Sequence, residues 1–281
     1  MGRAAATGPT SRPLSGVAKA RWPARARAAC AFTFDLDAET LWLARGVTEP
    51  VALSQGRFGV LEGLPRILDL LRGAAVRASF FIPAWVAEHY PDAVAAIVAG
   101  GHEVGSHGDV HERVADLDAA HEEKILQRSV EVLSRLAGRR PVGYRAPAWQ
   151  LSERTLALVT RHGFDYASNM MDRLTPYLHP PVEGRTLVEI PVSWVLDDAP
   201  YFLFTGQRSL QPPGPVLEGW LAEFDGIVEA GGIATFTFHP QLIGRPGRLA
   251  ALRTLIDHVQ RTPGVWVAAL EDVSRYWREA A

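Results

Sequence analysis

The chain has 281 residues, one cysteine and a formal net charge of −2, in a composition that is 47% hydrophobic and 21% charged. Ordinary globular composition of this length suits one sizeable α/β core. The near-zero charge gives no reason to expect nucleic acid or an anionic membrane surface as a partner, and Cys30 alone rules out an internal disulfide framework. No apolar run approaches the ~18 residues of a membrane span.

Residues 1–27, rich in Ala, Arg, Gly and Pro, lack the uninterrupted apolar stretch of a secretory signal and read as a flexible basic tail ending near Trp22-Pro23. With the lone cysteine, this points to the cytoplasm. From residue 28 to 281 one domain is expected. Short runs rich in Val, Ile, Phe and Thr, at 30–34, 76–82, 102–107, 164–168, 187–194, 232–238 and 265–270, predict strands. Several are apolar on both faces, as strands of a covered parallel sheet are. Helical spacing predicts helices over 60–73, 118–138, 151–162, 215–230, 247–261 and 270–279, the second capped by Asp118 and stopped at Gly138. This alternation predicts a single distorted (β/α) barrel of about seven strands, with long loops at 170–186 and 195–214.

Four segments could carry chemistry. In "FTFDLDAET", Asp35 and Asp37 end an apolar strand two residues apart, so their carboxylates share a side and repel unless a cation or proton lies between them. A solvated strand end is the plain alternative. "GSHGDVHERV" sets His107 and His111 four apart, the spacing of one side of a helical turn. A polar surface loop would look the same. "GYRAPAW" places Arg145 between Tyr144 and Trp149, where it could grip a carboxylate or merely pack over the indole. "ATFTFHPQ" ends an apolar strand at His239, a proton donor or a structural histidine. Asp197 and Asp198 stand ready to orient it or to begin a turn. One carboxylate and two imidazoles make a three-ligand site for a divalent ion, with zinc the first expectation and cobalt, nickel or manganese also suited. A spare carboxylate and a further histidine complete a set for metal-assisted C–N hydrolysis.

These segments, in this order, resemble the motifs of the polysaccharide deacetylase family (carbohydrate esterase family 4, NodB homology): "TFDLDAE", "SHGDVH", "RAPAW" and "TFHP", spanning ~28 to ~275. The resemblance implies an incomplete (β/α) barrel. By position it implies Asp35 as catalytic base, Asp37, His107 and His111 as metal ligands, Arg145 as the residue steadying the base and His239 as general acid. Trp149, Tyr144, Asp197, Asp198 and Glu39 would form the substrate pocket. The first motif departs from the common adjacent aspartates: Leu36 separates them and Ala38-Glu39 follows. That form, with "SNMMD" (168–172) and "WVLDDAPYF" (194–202), is similar to a branch with peptidoglycan-deacetylase-like, allantoinase-like and cyclic-imide-hydrolase-like members. The resemblance therefore implies a metal-dependent amide hydrolase of the deacetylase type, acting on a saccharide or small molecule. The alternatives are a hydrolase of small cyclic amides or ureides, and an inactive saccharide-binding barrel, against which the retention of every motif residue speaks. A homo-oligomer remains open.

Overall fold

The computed structural model describes residues 20–204 and 209–280. Among these residues, nine strands form one curled sheet that stops short of closing: β1 (Ala28–Asp35), β2 (Ser79–Ile82), β3 (Glu103–Ser106), β4 (Gly143–Tyr144), β5 (Tyr166–Ala167), β6 (Tyr177–Leu178), β7 (Val188–Glu189), β8 (Ile233–Phe238) and β9 (Val265–Val267). Their order is β6-β7-β5-β4-β3-β2-β1-β8, with β9 also on β1, and every pairing is parallel except β6 with β7. The fold is the incomplete (β/α) barrel expected. The two strands that the sequence did not reveal, β4 and β6, are two residues each, and unlike the equally short β5 and β7 they do not lie in a run read as β-rich.

Alternation along the longer strands sorts residues between two environments. On β1, Cys30, Phe32 and Phe34 face outward into the main core under the helices, where Phe34 stacks on Phe80 with centroids 4.9 Å apart. Ala29 and Ala31 face inward, and so by parity do Thr33 and Asp35. The same count on β8 sends Phe236 and Phe238 outward and brings Thr237, then His239, inward. On β3 it brings Glu103, Gly105, then His107 inward. Cys30 is fully buried, and burial pushes its thiol well above the usual range, so it is inert packing.

The helix Ala119–Ala137 bears out its expected caps: Asp118 accepts the His121 N–H at 2.9 Å, and Gly138 ends it with φ +70°. Helices not expected from the sequence run over Pro50–Phe58, Ala84–His89 and Pro91–Ala99. The segment 195–214 is not all loop, since Ala199–Phe202 is a helical turn. Most of the expected tail, residues 1–19, lies outside the described residues. Its end does not: Trp22 is buried against Trp266 and Trp277 and donates its indole N–H to Gly231 O at 3.0 Å, so the packed chain reaches back to Trp22. Among the described residues, no helix is long and apolar enough to cross a membrane.

One backbone contact fixes the segment after β8. A Cβ on Gly63 would overlap the Pro240 carbonyl, and one on Gly244 would lie 2.5 Å from Gly63 Cα. Backbone meets backbone there, so nothing can rotate aside. Gly63→Ala should therefore destabilise by about 1–3 kcal/mol and lower activity by moving the peptide after His239. Gly219→Ala, where a Cβ meets nothing within 4 Å, should instead stabilise by up to about 1 kcal/mol. Urea unfolding of both variants checks the contrast.

Candidate active site

The inward residues one step past the strand ends converge: Asp35 ends β1, His107 follows β3, Arg145 follows β4, Ser168 follows β5 and His239 follows β8. The C-terminal rim of a parallel barrel is where such sites form, because the ends of several strands bring side chains together there under the loops that follow them.

Arg145 is wholly buried and lies over the Phe81 ring, 4.2 Å from its centroid. Its Nη1 donates to Asp35 Oδ1 at 2.9 Å and to Thr33 Oγ1 at 2.7 Å, and its Nη2 donates to Ser168 Oγ at 3.1 Å. Burial alone would raise the Asp35 carboxyl. The Arg145 guanidinium, with His107 and His239, outweighs it and holds Asp35 below the ordinary carboxylate range. Oδ1 is thus clamped, while Oδ2 faces His107 Nε2 at 3.9 Å.

Asp37 is fully buried and its Oδ1 has no hydrogen-bond partner. Around it stand His107 Nε2 at 3.5 Å from Oδ1 and His111 Nε2 at 3.8 Å from Oδ2. Three ligands of a tetrahedral ion at about 2.1 Å lie roughly 3.4 Å apart, so this trio has the right spread. Its electrostatics fit as well. Burial pushes Asp37 up to about 7, with His239 opposing and Asp35 adding to the rise. Burial also holds His111 down at about 3, a neutral imidazole. His107 engages the Arg145 carbonyl through Nδ1 at 2.8 Å, which fixes the tautomer that leaves Nε2 free. A buried carboxylate with an orphaned oxygen facing two neutral imidazoles suits a divalent cation.

His107 and His111 do not share a helical turn. Residues 107–113 are irregular, and the chain doubles back through left-handed conformations at Gly108 (φ +74°) and His111 (φ +61°). The turn is tied by Glu112, whose carboxylate accepts the N–H groups of Asp109 and Val110 at 3.0–3.2 Å.

His239 Nε2 lies 3.7 Å from Asp37 Oδ2. Behind it, Asp198 Oδ1 accepts from Nδ1 at 2.6 Å and the same carboxylate receives the His239 backbone N–H. Asp198 is therefore the orienting partner. Asp197, 3.7 Å away, caps Ala199 N–H at 2.8 Å and lines the cavity. The Asp197–Asp198–His239 atoms also cluster closely enough for an ion. Here, however, Asp198 already accepts both the Nδ1 and the backbone N–H of His239, and Asp197 Oδ1 accepts the Ala199 N–H. Burial would lower His239, but Asp198, Asp197 and Asp37 together raise it well above its usual range.

The cavity over these groups measures ≈ 500 Å³, and Trp149 walls it against Trp194, with ring centroids 4.3 Å apart. Three expected pocket residues do not line it: Asp198 is buried behind His239, and two others lie elsewhere. Tyr144, one position before Arg145, faces the opposite side of the sheet and packs on Phe164. Glu39 turns away because Ala38 takes φ +48°, breaking the alternation that carried Asp35 and Asp37; it accepts from Tyr90 Oη at 2.6 Å and faces Arg57. Sequence reasoning passed over Leu41, Arg45, Trp194, Leu203 and Leu242 in the cavity wall, and Asn169, whose Oδ1 accepts the Ala146 N–H at 2.8 Å. No local pattern marks these residues.

The family model described as polysaccharide deacetylase matches residues 58–167, a stretch that contains His107, His111 and Arg145 but not Asp35, Asp37 or His239. A peptidoglycan deacetylase of Helicobacter pylori is 33% identical over 269 residues, covering 84% of this chain and 92% of the relative. The chain belongs to the polysaccharide deacetylase family. A solved structure from Mycobacterium smegmatis assigned to the polysaccharide deacetylases superposes with a TM-score of 0.88 at 38% identity, covering 95% of this chain and 96% of the other. An allantoinase superposes at 0.85 and 26% identity, covering 94% and 95%. This member is a deacetylase-type hydrolase of C–N bonds other than peptide bonds, in a metal-dependent family.

Arg145→Gln should cut turnover sharply and move the acid limb of the rate–pH profile upward. A general base works above its pKa, and loss of the guanidinium would raise that of Asp35. A rate–pH profile of the folded variant with an unmoved acid limb would refute the pairing.

Proposed function

We propose that the chain is a metal-dependent deacetylase of N-acetylated saccharides in which Asp37, His107 and His111 hold one divalent ion, zinc being the first candidate. The observation that carries this reading is the division of labour around Asp37. A carboxylate clamped on one oxygen stands beside His107, and a carboxylate-backed imidazole stands by Asp37 Oδ2. When bound, a divalent ion supplies Lewis-acid polarisation of the amide carbonyl and lowers the pKa of water.

The remaining steps belong to the chain's own groups. Asp35, kept ionised by Arg145, takes the proton of the attacking water at Oδ2. His239, kept protonated by Asp198, gives a proton from Nε2 to the departing nitrogen. Without that proton the amine is too poor a leaving group, so the C–O bond rather than the C–N bond of the tetrahedral intermediate would break. Trp149 and the aliphatic wall exclude bulk water and bear on the apolar face of the substrate. Cytoplasmic residence, were it the case, would weigh against assembled polymer and toward the small-molecule reading that follows.

A second reading, hydrolysis of small cyclic amides or ureides, is favoured by the compact cavity and by the superposition on an allantoinase. A hydrolysis screen of the metal-loaded protein against N-acetylglucosamine oligomers, allantoin and cyclic imides separates the two. Acetate release from the oligomers supports the first; ring opening alone would replace it with the second.

His111→Ala should lose bound metal, measured by elemental analysis, while its circular dichroism stays native. His239→Ala should keep the metal and lose about 10²–10⁴-fold in turnover. Loss of metal in His239→Ala would make it a ligand, and an unchanged rate would make it structural.

A further inference from the structure

Next to the catalytic cavity lies a second recess of ≈ 390 Å³, lined by Trp42, Phe202, Gln241, Leu242, Arg245 and Arg248 among others, with no acidic residue in its lining among the described residues. Two of these residues join it to the catalytic cavity. Leu242 forms part of both walls, and Gln241 approaches Asp37 Oδ2 through its Nε2 at 3.5 Å.

Its two guanidinium groups are held without being neutralised. Arg245 lies over the Phe58 ring, 3.5 Å from the centroid, and Arg248 over the Phe202 ring at 4.4 Å. Arg248 Nη1 also donates to the Leu242 carbonyl at 3.1 Å. Stacking fixes the planes of the guanidinium groups while leaving N–H edges free for in-plane bonds. Neither makes an ion pair among the described residues, whereas Arg77 and Arg139 both reach Glu271 and Arg128 reaches Glu88 and Asp109. Burial and the neighbouring charge of Arg245 press Arg248 below the ordinary arginine range, with Asp198 opposing. Two like charges, preorganised on aromatic rings beside a reaction centre, form a receptor for an anion. A bidentate guanidinium matches a carboxylate or a phosphate in geometry.

We propose that Arg245 and Arg248 form an anion subsite that seats a carboxylate or phosphate group of a substrate whose acetamide occupies the catalytic cavity. This rests on the deacetylase reading above. It narrows the substrate class to N-acetylated saccharides that carry a negative charge away from the scissile bond.

The test compares three compounds with the same acetamide: N-acetylglucosamine (neutral), N-acetylmuramic acid (carboxylate) and N-acetylglucosamine 6-phosphate. Each is hydrolysed by the full, metal-loaded chain and by its Arg245→Gln and Arg245→Gln/Arg248→Gln variants. In the wild type, kcat/KM for one anionic compound should exceed that for the neutral one by about tenfold or more, the size of one charge-assisted hydrogen bond. The arm that wins identifies the anion. The ratio should fall stepwise toward one in the variants, through a rise in KM. Equal rates for all three compounds in the wild type, or a preference that survives in the variants, overturns the subsite. If none of the three is hydrolysed, the saccharide reading itself fails. The subsite is then judged separately by calorimetric titration of inorganic phosphate: tighter binding by the wild type than by the double variant supports it, and equal affinity overturns it. Should the double variant fail to fold, the exposed Arg245 alone carries the comparison, since its replacement leaves the Arg248 packing on Phe202 in place.

Discussion

Two carboxylates buried two residues apart at the end of β1 are the constraint on which the rest of the site depends. Asp35 and Asp37 are 3% and 0% exposed, so neither can rely on water to disperse its charge. Two unpaired carboxylates at that depth would cost several kcal/mol each. The fold treats them differently. Asp35 receives a guanidinium that is itself tied to Thr33 and Ser168, so its charge is matched inside the protein. Asp37 receives two neutral imidazoles, the distant amide of Gln241 and, at 3.7 Å, an imidazole whose charge Asp198 and Asp197 share, and one of its oxygens is left without a partner. The unequal treatment of two neighbouring acids separates their electrostatics: Asp35 is held ionised, and Asp37 is pushed up to about 7. Pairs of titratable groups pushed apart by their surroundings are how one site accommodates opposite tasks.

Much of this was legible because the strands that matter most are also the plainest in the sequence. β1 and β8 are continuous apolar runs, and an acid or a histidine at the end of such a run stands out. Strand parity then fixes the side. It sends Asp35, His107, Arg145 and His239 to the barrel interior, and it would have excluded Tyr144, which is one step out of phase with Arg145. What failed was the extension of regular geometry past the strand ends. Glu39 continues the spacing of Asp35 and Asp37 on paper, but Ala38 is left-handed and the chain has already turned. His107 and His111 do come together, with ring centroids 5.3 Å apart, by a left-handed turn rather than a helix. Likewise, Asp197 and Asp198 are indistinguishable as text. Only the bridge between Asp197 and Thr237, which lays that segment along β8, decides which carboxylate stands behind His239.

The rim loops follow a different logic from the strands. Ala148 and Trp149 both adopt positive φ, +50° and +55°, in the strap that carries the indole into the cavity. A pair of non-glycine residues in that region costs of the order of 1–3 kcal/mol each and persists only where neighbours over-determine it. Those neighbours are identifiable. Asn169 takes the Ala146 N–H, and its own backbone N–H, with that of Met170, is received by the buried carboxylate of Glu189 at 2.6 and 2.9 Å. Glu189 is fixed in turn by His179 at 2.8 Å. On the other side, Trp194 packs on the indole. A relay from β7 through the segment after β5 thus holds the strap that shapes the cavity, outside the groups that move protons.

That separation explains how one barrel can serve different amides. The proton-handling groups sit on or one step beyond strands, where sheet hydrogen bonding locks them, so Asp35, Arg145, His107 and His239 keep their mutual geometry whatever the loops do. The walls come from Trp149, Trp194, Leu203 and Leu242, all on turns or short helices whose conformation depends on a few side-chain contacts. A change in those contacts alters the shape of the cavity without disturbing the base or the acid. The proton-bearing side chains are thus set by the strand ends, and the shape of the cavity by the rim, where Leu203 and Leu242 stand beside Trp149 and Trp194. The rim is therefore where a difference in substrate can be built without moving Asp35, Arg145 or His239.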